Sequence, residues 1–252
     1  MSPEELSNTF DVLYNNITSN QAPGLSEYEK SIFLTKGQDE VLKNYFNPKG
    51  NAKQEGYDNS TKRQVDFSAL TVSADITTFG NSLFDKRSNS KSFAFPSDAM
   101  FVINEMTDVT RKNATDVTRK NVTLVTIPIR YDEYSRLMSK PYKRPLKGQA
   151  WRLIDYNTNN MADLVVGEND TITNYSVRYV KKPKPVITGD LNGLTINGYA
   201  YGNDAAATIP ETEGCELDSS LHEEILQRAV ELAKIAWLGD VNTSMTAGQR
   251  SE

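Results

Sequence analysis

The chain carries a single cysteine, Cys215, among 252 residues. No intramolecular disulfide can form, which fits a reducing compartment. Histidine is equally scarce, with His222 alone, so a metal centre built from histidine and cysteine is excluded by count. No apolar run approaches the roughly 20 residues that span a bilayer, and no membrane partner is expected. The opening MSPEELSNTF is acidic and polar, which predicts no signal peptide. Neither common glycine-rich phosphate loop occurs, and no cofactor is expected. The net charge of −5 lacks the basic excess of a dedicated nucleic-acid binder. A mildly acidic surface still suits passive contact, because it lets DNA slide past without tight phosphate binding.

Polar residues dominate what is present. The hydrophobic fraction is 38% and the mean hydropathy −0.55, enough for a thin or divided core and too much for a disordered chain. The N-terminal segment reads as helix. Ser2 is the candidate N-cap, Pro3 sits in the first turn, and Leu6, Phe10, Leu13, Tyr14 and Ile17 recur at spacings of three and four. A second helix is expected from Ser26, with Glu29 completing a capping box, and Asn47-Pro48 ends it. Gly37 weakens its middle. The clearest helix is LHEEILQRAVELAKIAWL at 221–238. Its stripe is Leu221, Ile225, Ala229, Leu232, Ala233 and Ala236, with Asp218–Ser220 as the N-cap and a capping box from Ser220 and Glu223.

Between these helices the pattern turns extended. Strands are expected over Val65–Thr78, Phe93–Phe95, Met100–Ile103, Val122–Ile129, Trp151–Ile154, Leu164–Val166 and Thr173–Val180. In the last, Tyr175, Val177 and Tyr179 alternate with Ser176 and Arg178, the signature of a half-buried strand. The expected fold class is α+β: a small helical bundle of two N-terminal helices and a C-terminal helix, with a large β-rich insertion carrying long hairpins. The expected division is 1–48 with 216–240 as the bundle, 49–64 as an exposed linker, 65–215 as the β-rich domain, and 241–252 as a flexible tail.

One stretch stands apart. TDVTRKN occurs twice between Thr107 and Asn121 with one alanine between the copies. Strands flank it, so a hairpin is expected. The favoured arrangement puts RKNA, Arg111–Ala114, at the tip and the two TDV segments opposite each other as arms. Arg111, Lys112, Arg119 and Lys120 make that hairpin basic. It serves contact with a neighbouring subunit, contact with DNA, or nothing beyond a tolerated duplication.

Reactive chemistry is sparse. His222 is expected to be an exposed helix residue beside Glu223 and Glu224, and Cys215 an inert loop thiol rather than a Cys-His nucleophile. GENDT at 167–171 and GDLNG at 189–193 read as hairpin turns rather than calcium loops. Trp151 and Trp237 are expected to be buried. Tyrosine is abundant, a contact residue enriched at interfaces. Tyr131–Lys147 and Tyr179–Val186 mix aromatics, bases and prolines without periodicity. They are read as solvated loops or as extended straps against another subunit.

Arg178–Val186, RYVKKPKPV, followed by Glu216–Trp237, ELDSSLHEEILQRAVELAKIAW, resembles the head-to-tail connector, or adaptor ring, proteins of short-tailed bacteriophages. The closest likeness is to the ring proteins of crAss-like phages. The resemblance implies a structural virion protein, not an enzyme: a homo-oligomeric ring, dodecameric where it meets the portal, stacked on adjacent tail ring proteins. DNA, without sequence specificity, and ejected proteins would pass through it. The C-terminal helix would belong to a bundle against neighbouring subunits. The TDVTRKN repeat has no counterpart in that pattern. The residues expected at subunit or portal interfaces are Arg111, Lys112, Arg119, Lys120, Tyr142, Lys143, Arg144, Lys181, Lys182, Lys184 and Trp237. Competing readings are another phage component, such as a tail accessory or capsid-decorating protein, a ligand-binding β-domain, and an enzyme.

Overall fold

The computed structural model describes residues 1–18, 24–46, 61–82, 89–113, 116–145, 148–155, 160–189, 191, 193–199 and 214–238. Most of the expected linker and all of the expected tail lie outside these residues. The chain forms two compact units: Met1–Leu70 with Pro183–Glu252, and Thr71–Lys182. The fold is mixed α+β, with helices towards both termini and an eight-stranded sheet between them in sequence.

The first unit is built on α1 (Pro3–Thr18), α2 (Glu27–Phe46) and α5 (His222–Leu238). Reciprocal capping boxes open the first two. Glu5 N–H donates to Ser2 Oγ at 3.2 Å, and Ser2 N–H donates to Glu5 Oε2 at 2.8 Å. Ser26 and Glu29 repeat the exchange at 2.8 and 3.3 Å. The apolar stripes then meet: Leu6, Phe10 and Tyr14 from α1, Leu34 from α2, and Leu226, Ala229, Val230 and Ala233 from α5. Gly37 sets the closeness of α2 and α5. A Cβ there would lie 3.0 Å from the Ile225 carbonyl oxygen and 3.1 Å from the Ala229 nitrogen. The glycine that weakens the helix alone is what lets two helices touch.

Several expectations are corrected. Val65–Thr78 is not one strand. It divides into α3 (Thr61–Asp66), a 3-10 turn at Ser68–Leu70, and β1 (Thr71–Ile76). Phe67 and Leu70 are both fully buried while Val65 is exposed, a spacing of three that a strand with one buried face does not give. A 3-10 turn, Ser219–Leu221, leads into α5, and Asp218, within the expected capping residues, caps it by accepting from Ser220 N–H at 2.9 Å, while Ser220 Oγ donates to Asp66 Oδ1. The KPKPV segment is not a solvated loop: Pro183, Pro185 and Val186 are buried, and Lys182 alone is exposed. It runs along α2 of its own chain, where Ser31, Thr35 and Gln38 form a polar row. Thr188 and Val186 N–H donate to Ser31 Oγ and Thr35 Oγ1, and Gln38 Nε2 donates to the Lys184 carbonyl at 2.9 Å.

The second unit is one sheet in the order β1-β8-β4-β5-β6-β7-β3-β2, antiparallel except for β5 with β6. The strands are β2 (Gly80–Asn81), β3 (Ser90–Ala94), β4 (Ala99–Asn113), β5 (Asp116–Pro128), β6 (Gln149–Asp155), β7 (Met161–Val165) and β8 (Asp170–Lys181). β1 and β2 stand at opposite ends of this order, yet residues 77–79 alone join them. So short a link reaches about 14 Å, so the sheet must curl. Inside the curl Phe93 of β3 meets Tyr175 of β8 with ring centroids 4.6 Å apart. Tyr175, Val177 and Tyr179 point inward as their alternation requires. Tyr131–Met138 is helix α4, not an aperiodic loop, because Tyr134 and Leu137 continue a helical stripe onto Trp151. Trp151 is buried as expected. The side chain of Trp237 lies outside the described residues.

A buried ion pair lies on the inner face of the sheet, over β5. Arg152 on β6 donates to both carboxylate oxygens of Glu105 on β4, at 2.6 and 2.7 Å. The Tyr175 hydroxyl donates to Glu105 Oε2 at 2.9 Å. The Phe95 ring lies 5.0 Å from the guanidinium carbon. Burial pushes the Tyr175 hydroxyl far above its ordinary range, and the neighbouring Glu105 charge adds to the shift, so it remains a donor at any working pH.

Two stability measurements follow. Gly37→Leu overpacks the α2–α5 contact and is expected to cost about 1–3 kcal/mol in urea unfolding, whereas Gly24→Ala, with nothing near its Cβ, stays close to the parent. Arg152→Met leaves Glu105 buried without its cation and is expected to cost about 3–5 kcal/mol. Combining it with Glu105→Gln recovers part of that loss. A single variant as stable as the parent contradicts the pairing.

Candidate interaction surfaces

The basic residues fall into separate groups. Arg111, Lys112, Arg119 and Lys120 share the β4–β5 hairpin, with Arg111 opposite Lys120 and Lys112 opposite Arg119. The hairpin was expected; its tip was not. The strands reverse between Asn113 and Asp116, and the first TDV segment pairs with Val122–Leu124. The two TDV segments therefore do not face each other, and Arg111 and Lys112 sit in an arm. Burial sets this register: Val109 and Leu124 enter one apolar cluster with Ala150 and Val166, and Thr107 and Thr126 share a buried hydroxyl contact of 2.7 Å.

Arg111 is held by Asp170 through two bonds of 2.7 and 2.8 Å, so it ties the hairpin to β8. This fork stabilises the cation and raises the Arg111 pKa further. The side chains of Lys112, Arg119 and Lys120 lie outside the described residues. A second group forms a projecting turn. Pro141–Lys143 is a 3-10 turn after α4, and Tyr142 on it is 92% exposed. Lys143 and Arg144 are exposed beside it. Arg144 Nε donates to the Met138 carbonyl at 3.1 Å, fixing the turn's exit. Lys181 closes β8 and Lys182 follows it, its N–H donating to the Asp98 carbonyl at 2.7 Å. Lys184 lies on the α2 strap beside Glu216 at 3.9 Å.

An apolar patch escapes a reading of the sequence. Met106 and Val125 are cross-strand neighbours on the sheet's outer face, 42% and 60% exposed. The run VTLVTI mixes apolar residues on both faces of β5, so alternation alone does not say which valine points out.

The residues with chemical potential are occupied. His222 is buried rather than exposed, with Nε2–H donating to the Leu217 carbonyl at 3.0 Å. It lies one turn before Leu226 on the buried stripe, and burial lowers its pKa. The Cys215 thiol donates to Gln38 Oε1 at 3.3 Å, and burial pushes its pKa up to about 11. Such a thiol is protonated at neutral pH and a poor nucleophile. Among the described residues no group of three or more histidine, cysteine, aspartate or glutamate residues is placed to hold a metal. None of the described helices is long and apolar enough to cross a membrane. GENDT forms the turn before β8, with Asp170 N–H donating to the Gly167 carbonyl. Asp190 and Asn192 of GDLNG lie outside the described residues.

Comparison with known proteins agrees with a chain made for contact. Residues 1–245 match the family described as phage tail ring protein 3/4. The chain is 48% identical over 260 residues to ring protein 4/5 of Bacteroides phage crAss001, covering all of both chains. It is 28% identical over 237 residues to ring protein 3 of the same phage, covering 94% of this chain and 96% of that one. The chain shows exposed basic turns and an outward apolar pair and keeps its thiol and imidazole hydrogen-bonded, and it belongs to the phage tail ring protein 3/4 family.

Proposed function

We propose that the chain is one subunit of a closed ring stacked in the tail below the portal vertex. Membership of the ring protein family carries this reading. In it, twelve copies stand where the ring meets the portal, and the lumen passes DNA and ejected proteins without sequence specificity. The role is structural and not catalytic. The structure supports this through what its polar groups do: Arg152, Glu105 and Tyr175 saturate one another inside the sheet. Arg152 also lines a groove of about 680 Å³ with Pro128–Asp132 and Ile154, and its guanidinium there is committed to Glu105.

The Tyr142 turn is the contact to an adjacent ring or the portal in this reading. A near-fully exposed tyrosine flanked by Lys143 and Arg144 combines a rigid amphipathic ring with cations, the composition of interface anchors. The basic hairpin contacts the neighbouring subunit, and Lys181, Lys182, Lys184 and Trp237 belong to secondary contacts.

Negative-stain imaging of the concentrated chain is expected to show rings with a central hole, alone or after addition of its neighbouring tail proteins. Dispersed particles under both conditions contradict the ring. Tyr142→Ala is expected to leave the melting temperature within about 1 °C, as surface changes do, while weakening stacking on the adjacent component at least tenfold in a pull-down titration, roughly 1.4 kcal/mol. Unchanged binding removes Tyr142 from the contact.

A further inference from the structure

Among the described residues several stretches of strand have a strand on one side alone, and two of them, Val72–Ile76 and Asp116–Leu124, are unlike and long enough to pair. β1 stands at the end of the order, with β8 as its one strand partner among the described residues. β5 is paired to β6 only over Val125–Pro128. Its N-terminal part, Asp116–Leu124, has β4 on one side and no strand on the other among the described residues. Val125 N–H turns away from β4 and donates to the Gly148 carbonyl at 3.1 Å. By the two-residue period, the backbone groups of Asn121 and Thr123 turn the same way.

We propose that β1 of one copy of this chain adds to the open side of β5 in the next copy, continuing one sheet around the ring. This rests on the ring reading and says how the ring closes. Direction fits. Each neighbour in the run β1, β8, β4, β5 is antiparallel, so β1 and β5 run oppositely. One step of rotation around a ring of many subunits changes strand direction little, so the incoming β1 meets β5 antiparallel. The two patches differ, which makes the contact head-to-tail and suits ring closure. Length fits as well. The six residues of β1 lie within the span of Asp116–Leu124, end to end with β6.

Faces and charges choose the register. Ser73 and Asp75 are exposed on β1, while Val72, Ala74 and Ile76 pack inward. On β5, Asn121 and Thr123 are exposed while Val122 and Leu124 turn inward. Ser73 opposite Asn121 keeps both alternations, sets Val72 opposite Val122, and brings Asp75 opposite Arg119. That last pair answers an imbalance within the hairpin. Arg111 opposite Lys120 and Lys112 opposite Arg119 are like-charged cross-strand pairs, which cost stability until an acid joins them. Asp170 serves the first pair, and Asp75 of the neighbour serves the second. β1 itself has no lysine, no proline and no break in register, the devices by which proteins keep an edge strand from pairing.

The test uses the full chain with Cys215→Ser, adding Ser73→Cys and Asn121→Cys. Directly opposed positions on antiparallel strands lie within disulfide reach. Mild oxidation is expected to give a ladder of covalent multimers up to the ring, with neither single cysteine giving one. In the cysteine-free background Asp75→Lys is expected to lower ring formation about fivefold per interface, and Arg119→Asp to restore it. Rings that form without a ladder and ignore Asp75→Lys overturn the pairing and leave the ring standing. Dimers from Asn121→Cys alone show a two-fold β5 contact and also overturn it. No self-association under any condition removes the ring reading and this pairing together.

Discussion

The contact between Arg152 and Glu105 is the one on which the β-rich unit turns. It joins β6 to β4, two strands that are not neighbours in the sheet. Only β5 lies between them, so the two long side chains meet over it on the buried face of the sheet, and only a bidentate, fully hydrogen-bonded geometry makes burial of both charges tolerable. Tyr175 from β8 supplies the third bond. Phe93 of β3 and Phe95, just after it, wall the cluster. Four strands therefore agree on one polar centre, and a register slip of one residue on any of them would strand a buried charge. Specificity of the curl, more than net stability, is what such a centre supplies.

A fixed curl decides what the unit shows outside. It keeps β1 and the long β4–β5 hairpin in set positions and presents Met106 beside Val125 to solvent. A tail ring component needs surfaces held in place by the interior. The helical unit is stabilised by different means. There the helices approach through Gly37 and Ala229, and a polar row on α2 holds the strap at Lys184–Thr188 through its backbone. Lys30 is buried between Asp11 and Glu27 at 2.6 and 3.0 Å, so even the charges of this unit are tied inside it.

Periodicity carried most of what was legible. α1, α2 and α5 have stripes three turns long or more, and β8 alternates over five residues, so local pattern and burial coincide. Short elements defeated the same test. In α3 and the following turn, Phe67 and Leu70 are three apart, and a strand reading spread over fourteen residues hid that spacing. In α4 the stripe of Tyr131, Tyr134, Leu137 and Met138 is there, but prolines just beyond it made the longer stretch look aperiodic. His222 was misread from its neighbours Glu223 and Glu224, although its place one turn before Leu226 puts it on the buried face. The repeat drew attention to itself, and its tip was misplaced because the register is set by Val109, Leu124 and Thr107 rather than by the repeated residues. Strand order, and with it the meeting of Glu105 and Arg152 across 47 positions of sequence, has no local signature.

Native-state hydrogen exchange of the free chain tests the role of the buried pair most directly. The amides of β4, β6 and β8 around Glu105, Arg152 and Tyr175 are expected to be the slowest of the β-rich unit and to exchange together, through unfolding of the whole sheet. Those of Asn121 and Thr123, on the open side of β5, are expected to exchange orders of magnitude faster. If the amides around the ion pair open as readily as those at the edge, the pair does not hold the curl, and the surfaces that depend on it lose their physical basis.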